Sequence, residues 1–184
     1  MRITGGFLKG RQVKVPESGK QRSIRPAMDR MRESVFASLG DLSGLSFLDL
    51  FSGTGIIALE AASRGAAYLE AVEADPLKRK TLLDNVKISP VRINCRFMAA
   101  ELYVQRAKRS FDLIFCDPPF PYAYKWQLVK TIASSPLMED GSRLLIHRPR
   151  EDFSIEEITF LSKNDSREYG RSVVDFFIHS FHKI

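Results

Sequence analysis

The chain has little sulfur and little histidine. Two cysteines and three histidines stand among its 184 residues. Cys95 and Cys116 both fall in apolar segments that read as buried strands. A disulfide framework is therefore excluded, and reduced core thiols are expected. His147, His179 and His182 lack metal-ligand spacing and no Cys/His cluster accompanies them, so no metal is expected. No Ser/His/Asp or Cys/His arrangement suggests a covalent nucleophile. No apolar run approaches the ~18 residues of a membrane helix. The opening Met1-Arg2-Ile3-Thr4-Gly5-Gly6 has no signal-peptide character. A cytoplasmic protein without a membrane partner is expected.

What is present is the balance of a globular chain, with 44% hydrophobic and 27% charged residues. The length suits one compact unit with a sizeable core. The net charge of +6 is concentrated at one end. Residues 1–33 hold nine Lys or Arg against three acids, and the remainder is neutral. A concentrated basic patch is the electrostatic footprint of a polyanion. We therefore expect a basic N-terminal extension over 1–33 and the main domain over 34–184.

From Phe47 onward, apolar runs alternate with helical patterns, the βαβ signature of a parallel sheet covered on both faces. Strands are expected at Phe47–Phe51, Tyr68–Ala74, Val91–Phe97, Phe111–Cys116, Arg143–His147, Glu157–Leu161 and Val173–Phe181. Helices are expected at Met28–Leu39, Ile56–Arg64, Pro76–Val86, Ala100–Lys108 and Tyr124–Ser134. The last strand reads as antiparallel. The Lys78-Arg79-Lys80 run reads as a solvated face, and His147 as a strand-end residue.

Asp49-Leu50-Phe51-Ser52-Gly53-Thr54-Gly55 follows the first core strand and opens a helix. Glycines let the backbone turn tightly and approach a ligand, and the helix N-terminus offers free N–H groups to an anion. With Ala58 in the third small position, the loop also fits a dinucleotide pattern. Glu73 lies where a carboxylate commonly bonds ribose hydroxyls. These features alone leave a dehydrogenase open. Asp49 tilts the choice: a carboxylate leading into the loop suits cationic S-adenosylmethionine better than a pyrophosphate. Phe51 and Ala74 join Asp49, Gly53, Gly55 and Glu73 in the expected cofactor set.

Asp117-Pro118-Pro119-Phe120 closes the fourth core strand. Ligands of open α/β sheets bind outside the carboxyl ends of strands at the switch point. Consecutive prolines hold the backbone rigid. The Asp117 side chain and the Pro118 carbonyl can then both accept hydrogen bonds from one amino group. A conjugated exocyclic amine is a poor nucleophile, and two acceptors on its protons free its lone pair. Phe120 offers a face on which a base stacks.

Together with Lys9-Gly10-Arg11, Arg25-Pro26, the Asp29–Phe36 block and Glu168-Tyr169-Gly170, these motifs resemble a known family. It is the bacterial family of 16S ribosomal RNA guanine-N2 methyltransferases that modify guanine 966. The resemblance covers most of the chain and weakens after about Pro149. It implies a Rossmann-like, seven-stranded, three-layer methyltransferase fold with an N-terminal β-hairpin. It also implies an RNA substrate presented in the small ribosomal subunit or an assembly intermediate, met by a monomer. Arg2, Lys9, Arg11, Arg25, Arg30 and Arg32 are expected to bind RNA phosphates. Two departures stand out. Ala27 replaces a usual threonine, and Met98–Glu101 lacks a polar adenine contact, leaving the Ala99 or Ala100 N–H for adenine. The rivals are a methyltransferase for another base amine or a protein amide, a nicotinamide oxidoreductase, and a silent RNA-binding or ribosome-assembly module.

Overall fold

The computed structural model describes residues 1–15, 25–152 and 158–181, with 25–27 described by backbone alone. Helix α1 (Arg25–Leu39) precedes the alternating core: β1 (Ser46–Leu50), α2 (Ile56–Ser63), β2 (Tyr68–Val72), α3 (Arg79–Val86) and β3 (Ile93–Arg96). Then follow α4 (Ala100–Gln105), β4 (Leu113–Cys116), α5 (Lys125–Ala133), β5 (Arg143–Pro149), β6 (Leu161–Tyr169) and β7 (Ser172–His179). The seven strands form one sheet in the order β3-β2-β1-β4-β5-β7-β6. Among the described strands, β7 alone opposes the rest, pairing antiparallel with both β5 and β6.

The period-two alternation of each strand divides the core between two faces. Phe47, Leu69, Leu113, Phe115 and Leu145 pack with α1, α2 and α3. Leu48, Leu50, Ile114, Cys116, Leu144 and Ile146 pack with α4 and α5. Strands buried on both sides explain the near-continuous apolar runs. The strand order reverses between β1 and β4, which places the switch point at Leu50 and Cys116, a parallel pair.

The N-terminal residues fold onto this sheet rather than beside it. Ile3 donates to the Arg11 carbonyl at 3.0 Å and Val13 to that of Met1 at 2.8 Å, with one antiparallel bridge between Arg2 and Gln12. Ile3, Leu8 and Val13 are buried in the same cluster as α1 and α2. Helix α1 runs through the boundary expected between residues 33 and 34. Every residue of α2 is buried, because the sheet covers one side and the N-terminal residues and α1 cover the other.

Several boundaries differ from expectation. The Pro76 segment is a short 3-10 turn, Pro76–Lys78, capped by the Asp75 carboxylate, before α3 begins. The strand expected at Glu157–Leu161 is instead β6 at Leu161–Tyr169, and Glu157 lies outside the described residues. His182 and the Arg25 side chain also lie outside them.

Candidate active site

The loop after β1 is built by backbone geometry. Phe51 adopts φ 63° and Gly55 φ 82°, the latter capping α2 in the left-handed region. The positive φ favours glycine there, and a Cβ at Gly55 would stand 2.7 Å from the end of the Leu82 side chain, forcing it to shift. Asp49 is fully buried beneath the loop. One carboxylate oxygen accepts from Ser52 Oγ at 2.6 Å and from the Ala58 N–H at 3.2 Å. The other, Oδ1, is buried without a hydrogen-bond partner. Burial, then the nearby charges of Asp117 and Glu73, push this carboxyl up to about 7 against the lowering pull of those two donors.

Glu73 directly follows β2, with both oxygens on main chain. It accepts from the Gly53 N–H at 2.7 Å and from the Asp75 N–H at 2.8 Å. Each oxygen keeps a further lone pair for a ligand hydroxyl. Ala74 beside it is exposed. Ala99 is exposed and Ala100 buried at the start of α4. Phe51 packs on Tyr122 with ring centroids 5.5 Å apart, and the Tyr122 hydroxyl donates to Glu101 of α4. The loop, the end of β2 and the start of α4 thus ring the carboxyl edge of β1.

Asp117 follows β4 directly, its N–H bonded to the Leu50 carbonyl at 3.2 Å across the switch point. Pro118 is buried, while Pro119 and Phe120 are exposed. The Phe120 ring is therefore available for stacking. Lys125, buried at the start of α5, donates to the Phe120 carbonyl at 3.2 Å and pairs with Asp152. The motif is thereby anchored at both ends. The structure brings Asp49, Gly53, Gly55, Glu73 and Asp117 to one edge of the sheet.

His147 corrects the reading as an ordinary strand-end residue. Its Nδ1 lies 2.8 Å from Asp117 Oδ1. The register pairs Cys116 with Ile146, so the next residue on each strand must be neighbours. Sequence alone carries this signal only once β4 and β5 are known to be adjacent and in that register.

The basic residues divide. Arg2, Lys9, Arg11 and Arg30 are exposed. Arg2, Lys9 and Arg30 line a groove of about 560 Å³ with Thr4, Gly10, Asp29 and Glu33. Arg32 is a correction: its side chain is 1% exposed and points inward. It bonds Glu60 at 3.3 Å, Asp29 at 2.5 Å and the Arg2 carbonyl at 3.1 Å. Buried Glu60 on α2 is paired with both Arg32 and Arg64, so Arg32 is engaged inside the fold in place of contacting phosphate. No group of three or more potential metal ligands occurs among the described residues. Nor is any described helix long and apolar enough to cross a membrane.

The strand order, the glycine loop at the switch point and the acidic residue closing β2 define a Rossmann-like S-adenosylmethionine-dependent methyltransferase fold. Solved structures share it. The protein yhhF of Escherichia coli superposes with a TM-score of 0.85 over 99% of each chain at 22% identity. The magnesium protoporphyrin IX methyltransferase of Synechocystis PCC 6803, solved with bound S-adenosylmethionine, gives 0.68 over 97% of this chain and 88% of its own at 16% identity. The chain belongs to the family described as Conserved hypothetical protein 95, whose model matches residues 1–178. The Ribosomal RNA small subunit methyltransferase D of Escherichia coli K12 is 34% identical over 125 residues, covering 65% of this chain and 60% of that protein. The chain therefore spans less than two thirds of that relative's length.

Proposed function

We propose that this protein transfers a methyl group from S-adenosylmethionine to the exocyclic N2 of a guanine in 16S ribosomal RNA, at the position-966 type of site. The partner is the small ribosomal subunit or an assembly intermediate, met in the cytoplasm by a monomer. The observation that carries the reading is the pairing of two acceptors at the switch point. Asp49 holds a buried oxygen without a partner under the glycine loop, and Asp117 opens the Pro-Pro turn on the adjacent strand. An unpaired buried acceptor is costly unless a donor arrives, and the cationic amino group of the cofactor is such a donor. Asp49 and the Gly53–Gly55 backbone would hold the methionine part, Glu73 the ribose, and the Ala99 or Ala100 backbone the adenine. When bound, S-adenosylmethionine supplies an electrophilic methyl group on a sulfonium.

The remaining chemistry belongs to this chain. Asp117 and the Pro118 carbonyl accept the two protons of the target amine and aim its lone pair. Phe120 stacks on the base and excludes water from one face. Bound there, S-adenosylmethionine would supply the methyl carbon to the amine nitrogen, with its sulfur as the leaving group. The resulting ammonium then sheds a proton, which Asp117 can receive. Positioning and fixed dipoles supply most of the acceleration. The RNA choice draws on the E. coli relative, which is named a small-subunit rRNA methyltransferase, and on the exposed Arg2, Lys9 and Arg30 groove.

The test is incubation with methyl-labelled S-adenosylmethionine and unmethylated small subunits, with naked 16S RNA and DNA in parallel, followed by digestion to nucleosides. Label in N2-methylguanosine, greater on the particle, is expected. Label in another nucleoside would move the target to a different base amine. Cofactor binding without any label would favour a silent RNA-binding module.

A further inference from the structure

Asp117 does not stand alone. His147 projects from β5 beneath it, 2% exposed, with Nδ1 2.8 Å from Oδ1. The Phe120 ring meets the imidazole edge-on at a centroid distance of 5.5 Å. Nε2 on the far side is buried and has no hydrogen-bond partner. A nitrogen this close to a carboxylate oxygen must carry the hydrogen, which assigns the Nδ1–H form.

We infer that His147 is a positioning residue for methyl transfer: its Nδ1–H holds one oxygen of Asp117 so that the other is presented to the target amine. This rests on the reading of Asp117 as the amine's acceptor. A carboxylate on a short side chain otherwise rotates about its final bond, and its two oxygens would share the amine in several poses. One fixed donor removes that freedom before the base arrives. The Pro118–Pro119 backbone cannot do this, because it restrains the main chain and not the carboxylate. The same imidazole buttresses Phe120, so the acceptor and the stacking face are set by one side chain. Nε2, buried without a protein hydrogen-bond partner, lies on the other side of the ring from this task. A buried polar atom without a protein partner calls for an explanation, and a positioning role for the ring supplies one.

The side-chain chemistry gives a sharp test. Asparagine carries its amide nitrogen where His147 has Nδ1, whereas glutamine carries it nearer the position of Nε2. His147→Phe and His147→Gln are expected to lower kcat about 10- to 100-fold, the cost of a misplaced reacting group. The KM for S-adenosylmethionine should stay within about two-fold, and His147→Asn should recover kcat to within about three-fold of wild type. The imidazole ¹⁵N spectrum of the wild-type protein should show the hydrogen on Nδ1, and Asp117→Ala should shift that signal. A hydrogen-free Nδ1, equal rates for the Asn and Gln variants, or undiminished kcat in His147→Phe overturns the inference. If Asp117→Ala is inactive while His147→Phe is fully active, only the role of His147 falls. If Asp117→Ala keeps full turnover, the reading of Asp117 falls and takes this one with it.

Discussion

Asp49 sits in an environment that penalises its charge. Its carboxyl rises from 3.8 to about 7, chiefly through burial. The folded protein therefore binds this proton more tightly than the unfolded chain does. Stability from this group is intact below about pH 4, declines as pH rises through about 7, and is level above that. A cationic partner beside Oδ1 would reverse the penalty. Replacing Asp49 with Asn should consequently stabilise the ligand-free protein at about pH 8, with the advantage shrinking to nothing near pH 4. Urea unfolding at several pH values measures this. S-adenosylmethionine should bind the wild type more tightly as pH rises from about 6 to about 7.5, below the α-amino range near 8. The Asn variant should bind weakly and without that slope, as titration calorimetry would register. An affinity of the wild type that ignores pH over this window would remove Asp49 from the cofactor site.

The N-terminal turn and α2 form one structural element, held by contacts that leave no spare room. Ser63 Oγ accepts from the Leu8 N–H at 2.8 Å and donates to the Gly5 carbonyl at 2.6 Å, while the Ser63 carbonyl accepts from Phe7 at 2.8 Å. Gly6 has φ 72°, and a Cβ there would lie 1.8 Å from the Ser63 carbonyl oxygen. Gly6→Ala must therefore lift the turn from α2, costing on the order of 2 kcal/mol or more in a thermal or urea melt. RNA affinity should fall with it while S-adenosylmethionine binding is largely kept. Equal stability would mean that the turn is not seated on α2 in solution. The legibility of the sequence follows the same physics. Buried parallel strands announce themselves because both faces are apolar, so β1, β2, β4 and β5 lie within two residues of expectation at each end. β6 does not: it is an edge strand, with Ser162-Lys163-Asn164 exposed and a bulge between Lys163 and Asp165. Its hydrophobicity is no guide, and the more apolar segment before it misled. The placement of Asp49 and Asp117 at the switch point was legible because they adjoin local motifs. His147 and Glu60 were not, since a buried polar residue declares its role only through partners distant in sequence.

At the scale of the molecule, the positive charge is not one patch of equivalent groups. Arg2, Lys9, Arg11 and Arg30 are exposed, whereas Arg32 neutralises Glu60 inside the fold. Counterion release makes the distinction measurable. Each exposed cation that meets a phosphate contributes roughly 0.7 to 0.9 to the slope of log affinity against log salt. Neutralising Arg2, Lys9, Arg11 and Arg30 together should therefore flatten the slope by roughly 3 for the proposed RNA partner, with little change in melting temperature. Arg32→Gln should do the reverse. It leaves the Glu60 carboxylate short of one cation in a buried place, so about 3 to 5 kcal/mol of stability should be lost. Arg64 still pairs with Glu60 and holds the loss toward the lower end. At temperatures where Arg32→Gln remains folded, the salt slope should match the wild type. Filter binding across a salt series, paired with melts of the same samples, separates the two roles. A flattened slope with unchanged stability for Arg32→Gln would mean that Arg32 turns outward to the RNA. An unchanged slope for the fourfold variant would mean that the polyanion is bound elsewhere on the surface.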